Sequence, residues 1–310
     1  MSTLHGYNIL NDFSTENAGL SRWTFCQKDG REFFIKEFLT PVYPDDTNDL
    51  SPKIIERKKK VCENFFAQRS VYYRELAKCR TGNNVIVQDF FREGSHYYIV
   101  TDKIDAVKVE PQFVSKLGDE QKITIIRSIL YSISALHSVG IVHADIKADN
   151  IMIKETSDGF YTAKIIDFDA GFFVGNNPSD VQGDFIYMAP ETFLRMQGED
   201  ILLTGKVDVF ALGILFHQYW TGELPAFKPD YQYAFESVLD QSELKLSYRI
   251  PDPLRSILKL MLEKEPDNRI NAIDALEKLS GGMKTDTIPD HTRQSRIKKS
   301  KSFYRPQDLD

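Results

Sequence analysis

Ile141 to Ile153 reads IVHADIKADNIMI, and its reading decides the fold of this 310-residue chain. Apolar residues at both ends hang a polar loop between two short buried strands. Within the loop, His143, Asp145, Lys147 and Asn150 follow the pattern H-x-D-x-K-x-x-N. A plain turn does not need this combination at these offsets. The residue types suit chemistry on a hydroxyl. A carboxylate at Asp145 can accept its proton and orient the oxygen. Asn150 offers a hard carbonyl oxygen to a cation, and Lys147 can neutralise charge on an anionic group being transferred.

Downstream, the apolar run Ala163 to Ile166 ends in Asp167-Phe168, which puts a carboxylate at the end of a buried strand, where it can hold Mg²⁺. Then come Met188-Ala189-Pro190-Glu191, the apolar segment DVFALGILF opened by Asp208, and Arg269 in KEPDNRINA. A buried Asp208 is expected to cap its helix and to hydrogen-bond the backbone of the 143–150 loop. Glu191 and Arg269 are expected to form a buried ion pair.

Upstream, apolar runs at Trp23–Cys26 and Phe33–Phe38 flank Lys28-Asp29-Gly30, a hairpin signal. A helical pattern covers about Lys53 to Cys79, and strand-like runs follow at Val85–Phe91 and His96–Thr101. Beyond Asp105 helices dominate, at Gln121–His137, Asp208–Trp220, Pro253–Glu263 and Asn271–Leu279. A strand-rich first part and a helix-rich second part predict an α+β chain with two lobes.

Composition narrows the function classes. With 42% hydrophobic residues the chain can bury a sizeable core, and a net charge of −6 gives no basic field for nucleic acid. Cys26, Cys62 and Cys79 lack metal-ligand spacing and read as reduced thiols of a cytoplasmic protein. The start, MSTLHGYNILNDF, has no signal-peptide pattern, and the apolar stretch Val207–Trp220 is too short to span a membrane.

The ordered set resembles the eukaryotic-like (Hanks-type) serine/threonine protein kinase family over about residues 7 to 280, as a divergent member with a prokaryotic cast. The resemblance implies a small antiparallel-sheet N-lobe with one long helix (1–102), a hinge and larger helical C-lobe (103–280), and a flexible basic tail (281–310). It implies transfer of the γ-phosphoryl of ATP to serine or threonine hydroxyls of protein substrates, with Mg²⁺ or Mn²⁺ as metal. Asp145 and Lys147 would be catalytic; Asn150 and Asp167 would hold metal. Lys36 would meet the α- and β-phosphates, Ala18 and Gly19 would lie over the phosphates, and Thr101 would stand as gatekeeper. The backbone of Asp102 and Ile104 would meet adenine. No nucleic-acid or membrane partner is implied.

The chain departs from the pattern in several places. The glycine-rich loop reads Glu16-Asn17-Ala18-Gly19-Leu20-Ser21-Arg22-Trp23, with one glycine. Ala144 replaces the arginine usually found before the catalytic aspartate. Asp169 takes the place of a glycine and reads as a solvated loop charge or an outer metal ligand. On the long helix, Gln68 or Arg69 falls where a glutamate should face Lys36, with Glu63 and Glu75 about two turns either side. These departures make a scaffold without turnover the alternative reading; the Ala-Pro-Glu segment, Asp208 and Arg269 disfavour a small-molecule kinase. Without an arginine at 144, and with only Ser179 and Tyr187 as hydroxyls between Asp167 and Glu191, activity is expected not to need loop phosphorylation. Ser295, Ser300 and Ser302, among basic residues, read as phosphorylation sites of the tail.

Overall fold

Asp29 and Gly30 both adopt left-handed backbone, φ 51° and 77°, and so close a two-residue hairpin between Lys28 and Arg31. The computed structural model to which this turn belongs describes residues 2–16, 19–45, 50–178, 181 and 183–282. The hairpin joins β3 (Ser21–Lys28) to β4 (Arg31–Phe38). Preceded by β1 (Thr3–Leu4) and β2 (Tyr7–Ile9), and completed by β5 (Val87–Glu93) and β6 (His96–Asp102), they form a sheet in the order β1-β2-β3-β4-β6-β5. Its paired strands run antiparallel.

Alternation along β4 decides where Lys36 points. Phe33 and Ile35 enter a small core with Tyr7, Ile9, Cys26, Tyr98 and Val100. Phe34, Lys36 and Phe38 face the other way, and Phe38 joins the main core. A one-residue slip against β3, where Trp23 pairs with Lys36, would turn the lysine into the small core.

The long helix α1 (Pro52–Leu76) starts with proline in its first turn and buries only Cys62, Tyr72, Tyr73 and Leu76. It ends three residues before the predicted Cys79, where Lys78 and Cys79 turn back onto Glu75 and Leu76 carbonyls. Phe65 packs edge-on against Phe38, Phe90 and Tyr97, with ring centroids 5.5, 6.2 and 5.2 Å apart.

The second part carries β7 (Val107–Lys108), α2 (Pro111–Ser115), α3 (Asp119–Ser138), β8 (Ile141–Val142), β9 (Ile151–Glu155), β10 (Tyr161–Ile165), β11 (Phe172–Phe173), α4 (Pro190–Met196), α5 (Lys206–Thr221), α6 (Ala234–Leu239), α7 (Asp252–Met261) and α8 (Ala272–Gly282). The apolar stripe predicted on α3, Ile123 to Leu136, is buried. Helix α5 is buried nearly all round and forms the centre of this part. Among the described residues no helix is long and apolar enough to cross a membrane. The architecture is the bilobal α+β fold of protein kinases, as the sequence implies.

Candidate active site

Two loops meet because the same two ladders hold both. Val142 of β8 pairs with Phe172 of β11, and Ile151 of β9 pairs with Ile165 of β10. The segment 143–150 and the segment 166–171 are therefore strung side by side between common anchors. Cross-links tie them. The Ile166 amide donates to the Asn150 carbonyl at 3.0 Å, and the His143 ring meets the Ile166 carbonyl at 3.2 Å through Nε2. The other ring nitrogen, Nδ1, accepts from the Asp145 amide at 3.3 Å, and the ring lies 4.9 Å from that of buried Phe168.

In the first loop, Lys147 Nζ lies 3.1 and 2.9 Å from the two Asp145 carboxylate oxygens. Asn150 Nδ2 donates to the Asp145 carbonyl at 2.8 Å and to Oδ2 at 2.7 Å. An amide spending both N–H groups on Asp145 presents only its carbonyl oxygen to anything else. Burial alone would lower the Lys147 pKa; the hydrogen bond and charge of Asp145, with Asp184 and Asp167 further off, raise it. Asp184 also takes the Ile186 amide at 2.9 Å.

Both Ala144 and Asp167 stand at positive φ, 64° and 60°, a conformation that non-glycine residues adopt at a cost. At Ala144 the compensation is visible. Asp208, 1% exposed, accepts from the His143 and Ala144 amides at 2.8 Å each and from His137 Nε2 at 2.9 Å. Burial would raise its pKa, but the His137 hydrogen bond and its other donors hold it below the ordinary aspartate value. The expectation that Asp208 caps α5 is corrected here. It lies inside the first turn of α5, where no side-chain cap is made, and its oxygens serve the loop. The expected Glu191–Arg269 pair is present, buried and bidentate at 2.6 and 3.1 Å, with further Arg269 bonds to the carbonyls of Lys206, Glu263 and Lys264.

Lys36 reaches across from the sheet. Its ammonium lies 3.1 Å from Asp167 Oδ1 and 2.6 Å from Asp169 Oδ2. Burial would lower the lysine's pKa, and the Asp169 and Asp167 carboxylates outweigh it and hold it above the ordinary value. The alternatives left open on α1 resolve against a helix glutamate. Glu63 and Gln68 are exposed. Glu75 engages Lys78, and Arg69 donates to the Asp169 backbone carbonyl at 2.5 Å. Asp169 is thus not a solvated loop charge. The signal that could have flagged it was its own oddity, an acid in a glycine's place facing an arginine in a glutamate's place.

Gly19 sits in a turn ahead of β3 with φ 56° and open space around it, whereas Ala18 lies outside the described residues. Asp102 ends β6 and its carboxylate is held by Arg31 and Gln88 at 2.9 Å each. Ile104, half-buried, follows on the connection to β7. Tyr187 is buried, donates to Gln218 at 2.7 Å and has its pKa pushed up to about 12, chiefly by burial. Ser179 and the three tail serines lie outside the described residues.

Residues 45–279 match the family described as the protein kinase domain. The chain is 24% identical over 278 residues to calcium-dependent protein kinase 27 of Arabidopsis thaliana, covering 87% of this chain and 53% of that protein. It is 26% identical over 202 residues to a probable myosin light chain kinase of Dictyostelium discoideum, covering 63% and 64%. It is 30% identical over 198 residues to serine/threonine-protein kinase PAK 5 of Rattus norvegicus, covering 62% and 24%. The chain thus spans less than two thirds of the length of each of these relatives. The family match begins after both Gly19 and the strand that carries Lys36.

Proposed function

Since the chain belongs to the protein kinase family, we propose that it transfers the γ-phosphoryl of ATP to serine and threonine hydroxyls of protein substrates. The observation that carries this reading is the Asp145–Lys147–Asn150 cluster fastened to the loop of Asp167. Lys147 and the serine/threonine-protein kinase among the relatives support hydroxyl acceptors of that type.

Asp145 takes the hydroxyl proton and holds the attacking oxygen in line, its carboxylate steered by Asn150 and Lys147. Lys147 then balances charge on the transferred group. Lys36 binds the α- and β-phosphates, Ala18 and Gly19 lie over them, and the backbone of Asp102 and Ile104 orients adenine. The donor chemistry fits Mg²⁺, or Mn²⁺: Asp167 and the Asn150 carbonyl are hard oxygens. Among the described residues no group of three or more His, Cys, Asp or Glu side chains could hold a metal. That suits a cation held by few protein ligands and by phosphates. When bound, the cation would supply charge neutralisation on the phosphates.

We read residues 1–102 as the N-lobe, 103–280 as hinge and C-lobe, and 281–310 as a tail. Three free, buried cysteines fit a reducing cytoplasm. Over a scaffold without turnover, catalysis is favoured because Lys36 has carboxylate partners. Incubation with radiolabelled ATP, a generic protein substrate and Mg²⁺ or Mn²⁺ should yield phosphoserine or phosphothreonine. Nucleotide binding without any transfer would select the scaffold.

A further inference from the structure

We propose that Asp169 is the positioning residue of Lys36, taking over in a loop the task that the family's fold gives to a helix carboxylate. The inference rests on the kinase reading above and adds to it the element that controls the lysine. Asp169 makes the shorter of the two contacts to the ammonium, 2.6 Å against 3.1 Å for Asp167. Its other oxygen, Oδ1, accepts from the Tyr73 hydroxyl at 3.4 Å, and its backbone carbonyl takes Arg69 Nη2 at 2.5 Å. Asp169 therefore sits between two cations, one on the sheet and one on α1, with both carboxylate oxygens engaged.

The helix is adapted to receive it. Arg69, Tyr72 and Tyr73 share one face at the spacing of a helical turn, and the Arg69 guanidinium lies 5.5 Å over the Tyr72 ring. A glutamate in Arg69's place would repel Asp169 across this interface. A glycine in Asp169's place would leave Lys36 with Asp167 as its carboxylate partner and remove the acid on the Arg69 side. The two departures make sense as one exchange: the acid moves from helix to loop and the helix turns basic. The loop also passes close to the helix at Gly171, where a Cβ would stand 1.9 Å from the Tyr72 hydroxyl.

This exchange defines its own test in the full-length protein. Asp169→Gly should lower kcat at least tenfold with KM for ATP changed less. Adding Arg69→Glu should restore kcat to within about threefold of wild type by re-creating an acid on the helix. The Mg²⁺ concentration for half-maximal activity should not move in Asp169→Asn. Pairing itself is read without turnover by a double-mutant cycle on melting temperature, combining Lys36→Met with Asp169→Asn. A coupling of about 2 °C is expected, as ~0.5–1 kcal/mol gives in a domain of this size. Additive melting shifts, unchanged kcat in Asp169→Gly, or a shifted Mg²⁺ requirement that Arg69→Glu does not relieve would each overturn the proposal. Coupled melting shifts in a wild type that transfers no phosphate would instead overturn the kinase reading and leave the pair standing.

Discussion

Beneath the 143–150 loop, Asp208, Glu191 and Arg269 are buried and saturated with hydrogen bonds, and their ordered spacing announces them. Beside Lys36, the acid sits two residues past Asp167, on a different element from the one the pattern leads to. The difference lies in the kind of partner. Asp208 binds main-chain amides, and Arg269 binds main-chain carbonyls as well as Glu191. Main-chain groups exist whatever side chain stands there, so Ala144 is tolerated without loss of the loop's brace. The Lys36 pair is made of side chains alone, and an acid can be supplied from any neighbouring element that reaches the ammonium. A brace built on backbone stays where it is; a pair built on side chains can change address.

The contrast can be broken from the scaffold side first, where the largest effect is expected. Arg269→Ala strands a buried Glu191 and should cost about 3–5 kcal/mol in chemical denaturation. A loss below about 1 kcal/mol would mean that the scaffold is no more committed than the Lys36 pair. Next, Asp145→Asn should cut phosphotransfer at least about 10²-fold, near 2.7 kcal/mol in the barrier, while nucleotide affinity stays within about twofold. Turnover within a few-fold of wild type would remove Asp145 from the proposed chemistry.

On the other side, Gly171→Ala places a Cβ 1.9 Å from the Tyr72 hydroxyl and 2.9 Å from the Val142 carbonyl. It should lower stability by about 1–3 kcal/mol, read as melting temperature, and Tyr72→Phe should recover part of the loss. The smallest effect belongs to Tyr73→Phe. Removing a 3.4 Å hydrogen bond to Asp169 should cost less than about 1 kcal/mol and leave kcat within a few-fold. A fall as large as that of Asp169→Gly would show that Asp169 leans on the helix more than on the lysine.

What was legible in the sequence was what neighbouring residues encode. The Lys28–Arg31 hairpin, the stripe on α3 and the pattern from His143 to Asn150 each lie within one or two turns of chain, where spacing maps directly to geometry. Glu191–Arg269 was legible too, though distant, because the set around it fixed the order. Asp208 was half legible: its partnership with the loop was expected, but local reasoning also made it a helix cap, a role its tertiary bonds displace. The partner of Lys36 was not legible. Contacts at this corner join residues about a hundred positions apart or more, from 96 for Tyr73 and Asp169 to 131 for Lys36 and Asp167, and no periodicity reports them. Counting along α1 pointed to Gln68 or Arg69, neither of them an acid, and it is Arg69 that meets Asp169.

The address of that pair also bears on ligands that act by pushing the Phe168 side chain out of its pocket beside His143. In an arrangement with a helix acid, such a displacement removes one carboxylate from the lysine and leaves another behind. Here the two acids flank Phe168 directly in the chain, so a displacement of the ring that moved this stretch would take both counter-charges from Lys36. Ligands that leave Phe168 in place would leave both counter-charges on Lys36.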